Sequence, residues 1–193
     1  MIGHITGKLL AKQPPQLLVD VGGVGYELEA PMSTFYRLPA VGQQVSLHTH
    51  LVVREDAQLL LGFASAQEKA LFRELIRISG VGPKVALTVL SGCSVDDFWS
   101  AMRAGDASSL TRLPGIGKKT AERLVMEMKD RAGAQVAAQM PGAPPAGALQ
   151  EARAALAALG YKPAEVQRLT EAVHHEHMST EQIIQEALKR AGR

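Results

Sequence analysis

Residues 78–86 read Ile-Ser-Gly-Val-Gly-Pro-Lys-Val-Ala, and residues 113–121, 35 positions later, read Leu-Pro-Gly-Ile-Gly-Lys-Lys-Thr-Ala. Each copy begins with an apolar residue that would end one helix and continues through a Gly-apolar-Gly turn. A basic residue and then Ala would open a second helix after the turn. The repeat therefore predicts two helix-hairpin-helix units within one helical domain.

The turns of this repeat have the residue types that bind phosphate. Glycines tolerate positive φ and let a ligand approach the backbone, while the free N–H groups and positive dipole end of the next helix attract an anion. Lys84 and Lys119 would add a full charge beside that anion. One such turn is often only a tight connection between helices, but two copies in register favour contact with the DNA backbone without base readout. The glycines concerned are Gly80, Gly82, Gly115 and Gly117.

Composition and charge agree with a DNA-binding protein. The 193 residues are 46% hydrophobic, which suffices for the cores of one or two domains. Residues 63–133 carry 11 basic and 8 acidic side chains, against 4 and 5 in residues 1–62 and 6 and 6 in residues 134–193. The small positive excess thus lies in the segment that holds the repeat, as a nucleic-acid surface requires.

The one cysteine, Cys93, excludes an intrachain disulfide framework and a multi-thiolate zinc site, and is interpreted as a small core residue. The start of the chain does not resemble a secretory leader, and no apolar run approaches the roughly 18 residues needed to cross a bilayer. These features predict a cytoplasmic protein without membrane partners.

The alternation of apolar residues over 17–21, 26–30, 45–53 and 59–63 predicts antiparallel strands. Turn residues separate them at 22–25 and at 54–58. Residues 1–64 are therefore predicted to form a small barrel, OB-like rather than SH3-like.

The rest of the chain is predicted to be helical, so the whole is an α+β multidomain protein. Residues 65–131 would form the tandem helix-hairpin-helix domain. Residues 132–148 contain no Lys, Arg, Asp or Glu and are rich in Ala, Gly, Pro and Gln, which predicts a flexible linker. Residues 149–193 would form a UBA-like three-helix bundle that docks a partner, with a capping box at Ser179.

No convincing catalytic centre is apparent in the sequence. It has no Gly-x-x-x-x-Gly-Lys-Ser/Thr loop for ATP, and the glycines at 22–25 have the wrong spacing for a dinucleotide. His174, His175 and His177 lack a second ligand group at a recognisable spacing and are interpreted as a solvated helix end rather than a metal site. We expect no cofactor, no metal and no enzymatic activity of its own.

The aromatic residues of the basic segment favour duplex over single-stranded DNA as the target. Single-strand binders stack bases on aromatic rings, whereas the helical pattern requires most of these for the core. The charges best placed at the hairpins are Lys84, Lys118, Lys119 and Arg123, and the aromatic residues are Phe63, Phe72, Phe98 and Trp99. Pro83 stands where the second copy has Lys118 and donates no N–H, so the first hairpin is predicted to bind phosphate less tightly.

The acidic pair Glu55 and Asp56 is unexpected in a DNA-binding protein. Taken alone, it reads most simply as two charges solvated at a hairpin tip.

The order of these parts resembles the RuvA family, the Holliday-junction-binding subunits of the bacterial RuvAB branch-migration complex. The resemblance rests on the start Met-Ile-Gly-His-Ile-Thr-Gly at residues 1–7, the Arg-Glu-Asp tip at 54–56, the tandem hairpins and the uncharged linker. It also includes Leu-Gly-Tyr-Lys-Pro at 159–163. It covers essentially the whole chain except the linker.

The resemblance implies a homotetramer, or an octamer of two tetramers, that holds a four-way junction open and square during recombination, DNA repair and the SOS response. Arg54 would contact DNA, and the Glu55 and Asp56 tips would form an acidic pin that repels phosphates at the crossover. The terminal bundle would bind RuvB, a hexameric ATPase, and the RuvC resolvase is a further partner that the family suggests. The candidates for the RuvB contact are Leu156, Leu159, Tyr161 and Leu188, some of which could instead belong to the core of the bundle.

Two other functions stay open at this point. The chain could be a helix-hairpin-helix repair enzyme of the glycosylase type, which would leave an abasic product. It could also be a general duplex-binding adaptor, which would bind linear and four-way DNA equally.

Overall fold

The computed structural model describes residues 1–139, 147–173 and 178–191. The chain divides into two compact units, Met1–Gly133 and Ala134–Arg193. The first unit contains a β-barrel and the helices that carry the repeat. The second contains the helices near the C-terminus.

The barrel is closed and has the strand order β1-β2-β3-β5-β4. The parallel neighbours are β3 and β5, and the other neighbouring strands pair antiparallel. A short helix, α1, lies between β3 and β4, so the predicted OB-like barrel is confirmed. The elements are β1 (His4–Gln13), β2 (Gln16–Val21), β3 (Val24–Glu29), α1 (Met32–Phe35), β4 (Gln44–Val53) and β5 (Gln58–Phe63).

The strand β1 was not among those predicted from alternation, yet it closes the barrel by pairing with both β2 and β4. Ile5 and Leu9 point into the core, but Gly7 lies between them and interrupts the apolar pattern. A Cβ atom at Gly7 would collide with the carbonyl oxygen of Asp20 on β2. Glycine therefore permits the close approach of the two backbones here.

The barrel and the helical region share the strand β5. Leu60 belongs to the core inside the barrel, whereas Leu61 and Phe63 belong to the core of the helical region. At the end of β5, the N–H of Ala64 donates to Thr34 Oγ1 at 3.0 Å and to Glu68 Oε2 at 3.1 Å. Thr34 also donates to Glu68 Oε2 at 3.3 Å, so a buried polar cluster joins the two regions.

The helical region packs around the aromatic side chains expected to form its core. Phe63, Phe72, Phe98 and Trp99 are all buried there, which removes them from any base-stacking surface. Ser94 caps α4 as predicted, because its hydroxyl accepts the N–H of Asp97 at 3.1 Å. The helices are α2 (Ala66–Leu75), α3 (Pro83–Gly92), α4 (Val95–Ala104), α5 (Ala107–Thr111) and α6 (Lys118–Gln139).

The helix α6 corrects part of the linker prediction. Its backbone stays helical through Gln139, into the segment 132–148 that was expected to lack regular structure. Absence of charge was a poor guide, because the alanines and glutamines of this stretch have high helix propensity and a helix needs no charged residues. Residues 140–146, with all three prolines of the segment, lie outside the described residues.

The C-terminal helices α7 (Ala148–Ala158), α8 (Pro163–Glu171) and α9 (Thr180–Ala191) confirm the predicted bundle. Gly160 ends the first of them at φ 97°. The capping box is also present, since Gln182 N–H donates to Ser179 Oγ at 3.3 Å and Ser179 N–H donates back to Gln182 Oε1 at 2.9 Å. Its core is formed by Ala152, Leu156, Val166, Leu169, Val173, Ile183 and Ala187.

Candidate nucleic-acid interface

The first hairpin is a compact turn between α2 and α3. The N–H of Ile78 donates to the carbonyl of Leu75 at 3.1 Å, and the N–H of Val81 donates to that of Ile78 at 3.0 Å. Gly82 is the N-cap of α3, with its carbonyl accepting the N–H of Ala86 at 3.0 Å. The apolar residue of the turn, Val81, is buried and anchors it to the core.

The second hairpin, between α5 and α6, repeats these bonds at positions 35 residues later. Leu113 N–H donates to Leu110 at 3.1 Å, Ile116 N–H to Leu113 at 3.1 Å, and Ala121 N–H to Gly117 at 3.0 Å. Ile116 is buried as its counterpart is. The repeat in the sequence is therefore a repeat in backbone geometry.

The two glycines of each turn have different roles, which refines the sequence interpretation. Gly80 has φ 85° and Gly115 has φ 76°, a region that other residues rarely adopt. Gly82 has φ −86°, because an N-cap takes an extended conformation, so it does not need positive φ. A Cβ atom at Gly82 or at Gly117 would meet no heavy atom within 4 Å, so both turns face open space that a phosphate can enter.

The helix starts behind the turns carry unsatisfied donors. The N-cap Gly82 has no side chain with which to cap α3, so the first N–H groups of this helix are left for a ligand. Pro83 occupies the first position and supplies no N–H, whereas α6 begins with Lys118 at the equivalent position. The first hairpin thus offers one backbone donor fewer than the second.

The predicted basic residues are exposed at these helix starts. Lys84, Lys118 and Lys119 all reach solvent. Lys118 Nζ lies 3.9 Å from Glu122 Oε1, but both groups are exposed, so the pair is weak and Lys118 is free to exchange it for a phosphate. Arg123 is also exposed, and its Nη1 donates to the carbonyl of Ser79 in the first hairpin at 2.8 Å.

The tip at residues 54–56 is a turn between β4 and β5, closed by the Arg54 N–H donating to the Ala57 carbonyl at 2.8 Å. The side chains of Arg54, Glu55 and Asp56 are exposed, and among the described residues none of them has a hydrogen bond or an ion pair. A cleft of about 380 Å³ lies beside the tip and is lined by Arg54 together with Gly82 and Lys84 of the first hairpin. The tip and the first hairpin are therefore neighbours within one unit.

The residues predicted to contact a partner ATPase differ in how far they are buried. Leu156 is completely buried in the core of the bundle, so its prediction as a contact residue is corrected: it holds the three helices together. Leu159 is 62% exposed and Leu188 is 36% exposed, so both side chains are accessible to a partner. Tyr161 is half-buried and packs against the core, so it can serve both roles.

Several groups outside these sites were also assigned at the sequence level. Cys93 packs against the helical core, where burial, with a smaller effect of Asp97, raises the pKa of its thiol to about 11. His174, His175 and His177 lie outside the described residues. Within the described ranges, no group of three or more His, Cys, Asp or Glu side chains is arranged to hold a metal ion. No helix there is long and apolar enough to span a membrane.

The contact between Arg123 and Ser79 was missed at the sequence level. Arg123 was assigned to DNA because it follows the second turn, and spacing gave no sign that its side chain reaches the first. The 35-residue register could have given a hint, because it pairs Arg123 with Thr88 and so shows where the two copies differ.

The sequence matches three family profiles and is similar over nearly its whole length to named proteins. The family profile described as the RuvA N terminal domain matches residues 1–62, that of the SAM-like helix-hairpin-helix tandem matches residues 72–130, and that of the RuvA C-terminal domain matches residues 147–192. A protein of Stutzerimonas stutzeri is 53% identical over 198 residues, and one of Thioalkalivibrio sulfidiphilus is 55% identical over 197 residues. A third, of Pseudomonas aeruginosa, is 52% identical over 200 residues. Each match covers 98% of both chains, and each relative is named Holliday junction branch migration complex subunit RuvA.

Proposed function

The chain belongs to the RuvA family, and on that premise we propose that it binds four-way DNA junctions, holds them open and square, and recruits the RuvB ATPase for branch migration. The observation that carries the proposal is the pair of hairpins with matching backbone hydrogen bonds, each with an open glycine turn and at least one exposed lysine at a helix start. Two such turns suit two phosphates of one duplex arm, whatever its base sequence.

In this proposal each hairpin holds DNA through its backbone donors and its cations. The direct contacts are assigned to Gly80, Gly82, Lys84, Gly115, Gly117, Lys118 and Lys119, with Arg54 on the neighbouring tip and Arg123 at the first turn. Because the phosphate contacts do not read bases, selectivity for a junction must come from the arrangement of the arms. A homotetramer, or two stacked as an octamer, would present one hairpin pair to each of four arms.

The acidic tip supplies the discrimination against continuous duplex. Four copies of Glu55 and Asp56 at the centre would repel phosphates that run straight through and favour strands that turn outward. The absence of intramolecular partners among the described residues leaves both carboxylates available for this role. The side chain of Arg54 would then contact a phosphate that has passed the tip.

The chain itself acts as a DNA-binding subunit, and the ATP-driven step belongs to its partner. The C-terminal bundle would dock RuvB through Leu159, Leu188 and the exposed part of Tyr161. This assigns DNA holding to one compact unit and motor recruitment to the other. We place the complex in the cytoplasm, with RuvC as a further partner on the same junction.

The test is a gel-shift comparison of a four-way junction with linear duplex of the same sequence, run beside the mass of the protein in solution. We expect strong preference for the junction and a mass of four or eight chains. Equal affinity for the two DNAs would indicate a general duplex adaptor instead. An abasic product on damaged DNA would indicate a glycosylase.

The role of the tip is tested by Glu55→Lys and Asp56→Lys together. Removing the repulsion should raise affinity for linear duplex and reduce the preference for junctions. Glu27→Lys is the control for each single substitution, Glu55→Lys or Asp56→Lys, because Glu27 is an exposed acid on β3 in the same barrel. Unchanged discrimination in the tip variant would leave Glu55 and Asp56 as a solvated turn.

The role of the bundle is tested with Leu159→Asp in the full chain. This variant should bind junctions normally and fail to support ATP-driven migration by RuvB, because a charge is placed in an exposed apolar contact. Leu156→Asp is the contrasting variant, since it should unfold the bundle, which circular dichroism reveals. Normal migration with Leu159→Asp would remove this residue from the docking surface.

A further inference from the structure

The side chain of Arg123 connects the two hairpins. It is carried by α6, the second helix of the second hairpin, yet its Nη1 donates to the carbonyl of Ser79 in the first turn at 2.8 Å. A Cβ atom placed on Gly80 would lie 3.3 Å from the same nitrogen, so the guanidinium lies against the backbone of that turn. The two residues are 44 positions apart in the chain, and the contact therefore fixes tertiary rather than local structure.

We propose that Arg123 is a positioning residue that fixes the separation of the two phosphate-binding turns. The inference rests on the proposed function, because the separation matters only if both turns bind the same DNA arm. Binding at two preorganised points avoids the entropic cost of ordering one point relative to the other. A bond between the turns is the direct means of such preorganisation.

The register of the repeat shows that a side chain of the second hairpin bonds to the first turn, whereas the equivalent side chain of the first hairpin bonds within its own helix. Arg123 corresponds to Thr88 on α3, and Ser79 corresponds to Pro114 in the second turn. The hydroxyl of Thr88 donates to the carbonyl of Lys84 in its own helix at 3.0 Å. Thr88 and Pro114 both line an open groove of about 710 Å³, and among the described residues no hydrogen bond joins them.

A packing contact provides the second point at which the hairpins meet. Gly92, at the end of α3, has no room for a Cβ atom, because Leu113 of the second hairpin occupies that position. Val81 of the first turn and Ile116 of the second also belong to one buried core, so packing holds the two hairpins side by side. The hydrogen bond from Arg123 to Ser79 is a separate, directional constraint on the backbone of the first turn.

The same bond brings the charge of Arg123 to the first hairpin. That hairpin starts its helix with Pro83 and has one backbone donor fewer than the second. A guanidinium has five N–H donors, of which Nη1 supplies one to Ser79. Loss of Arg123 should therefore affect the first hairpin, although the residue belongs to the helix of the second.

The first measurement needs no DNA. Spin labels at Arg77→Cys and Arg112→Cys, exposed and equivalent positions of the two repeats, report the distance between the turns by pulsed EPR in a Cys93→Ala background. We expect a narrow distance distribution with Arg123, and a broad one with Arg123→Gln or Arg123→Lys. The lysine keeps the charge but lacks the planar, multiply donating group. An unchanged distribution in both variants would overturn the proposal.

The second measurement separates positioning from simple charge. Lys119→Ala is the matched control, because it removes one charge from the same helix without touching Ser79. Each lost phosphate contact should lower the salt slope of junction binding by about one. Arg123→Lys should leave the slope unchanged and still weaken junction binding about tenfold, because the charge remains and the preorganisation is lost.

Full junction affinity with Arg123→Lys would reduce Arg123 to a replaceable positive charge. Thermal unfolding of each variant confirms that the exposed substitution leaves the fold intact. If the protein has no junction preference at all, the proposed function fails, while the distance measurement still decides whether Arg123 connects the turns.

Discussion

The two hairpins have the same backbone hydrogen-bond pattern and differ in the groups that they offer to DNA. Their hydrogen bonds coincide position by position at 3.0–3.1 Å, and each buries one apolar residue at its centre. The first begins its second helix with Pro83 and receives the Arg123 bond, whereas the second begins with Lys118 and receives no such bond from Thr88. The glycines and buried residues thus set the turn, and the positions around it set how strongly each copy binds.

The largest expected effect concerns the glycines at positive φ. Gly80→Val and Gly115→Val should each strain the backbone by about 1–3 kcal/mol and weaken junction binding tenfold or more. The loss at Gly80 should be greater, because its new side chain would also displace Arg123. Fluorescence anisotropy with a labelled junction measures both. Equal losses would contradict the assigned difference between the hairpins.

The lysines test whether both copies contact phosphate. Lys84→Ala and Lys119→Ala should each reduce affinity several-fold for any base sequence and lower the salt slope by about one. Lys129→Ala, an exposed lysine farther along α6, is the control and should leave the slope unchanged. A slope unaffected by either of the first two variants would remove that hairpin from the interface.

A gain of function would sharpen the comparison. Pro83→Lys gives the first hairpin the backbone donor and the charge that the second has at Lys118, so junction affinity should rise about two- to fivefold. The salt slope should increase by about one at the same time. If affinity falls instead, the preformed φ of Pro83 at the helix start matters more than the missing donor.

The smallest effect concerns Cys93, the residue that directly follows α3. In the repeat it corresponds to Met128 of α6. Burial raises the pKa of this thiol from its ordinary 9.0 to about 11, so it should react slowly with iodoacetamide at pH 8. The unfolded chain ionises first as the pH rises. The melting temperature should therefore fall between pH 9 and 11 in the wild type and less in Cys93→Ala. Rapid labelling at pH 8 would contradict this placement.

Much of the architecture could be predicted because local patterns agreed with the final packing. The hairpins follow from the repeat at 78–86 and 113–121, and four strands follow from alternation. The strand β1 was not predicted because Gly7 interrupts its apolar alternation. Glycine is required there by a close contact with β2, which the local sequence pattern does not show. The helix over 132–139 was not predicted because lack of charge is compatible with both a linker and an Ala-rich helix.

The candidate site was predicted in its composition but not in its connections. Lys84, Lys118 and Lys119 are exposed where the repeat indicated. The bond from Arg123 to Ser79 depends on how two separate turns pack, and the burial of Leu156 depends on which face of α7 the other helices cover. Both are tertiary facts that spacing along one helix leaves open.

The buried cluster of Thr34, Ala64 and Glu68 has a mechanical consequence. If DNA is drawn past the subunit, as we propose, the arm pulls on the hairpins while the crossover presses on the tip of the barrel. Glu68 is only 6% exposed and accepts two hydrogen bonds at the boundary between the barrel and the helical region, so this boundary should be rigid. A force applied at the hairpins would then be transmitted to the tip, because the first unit would move as one rigid body.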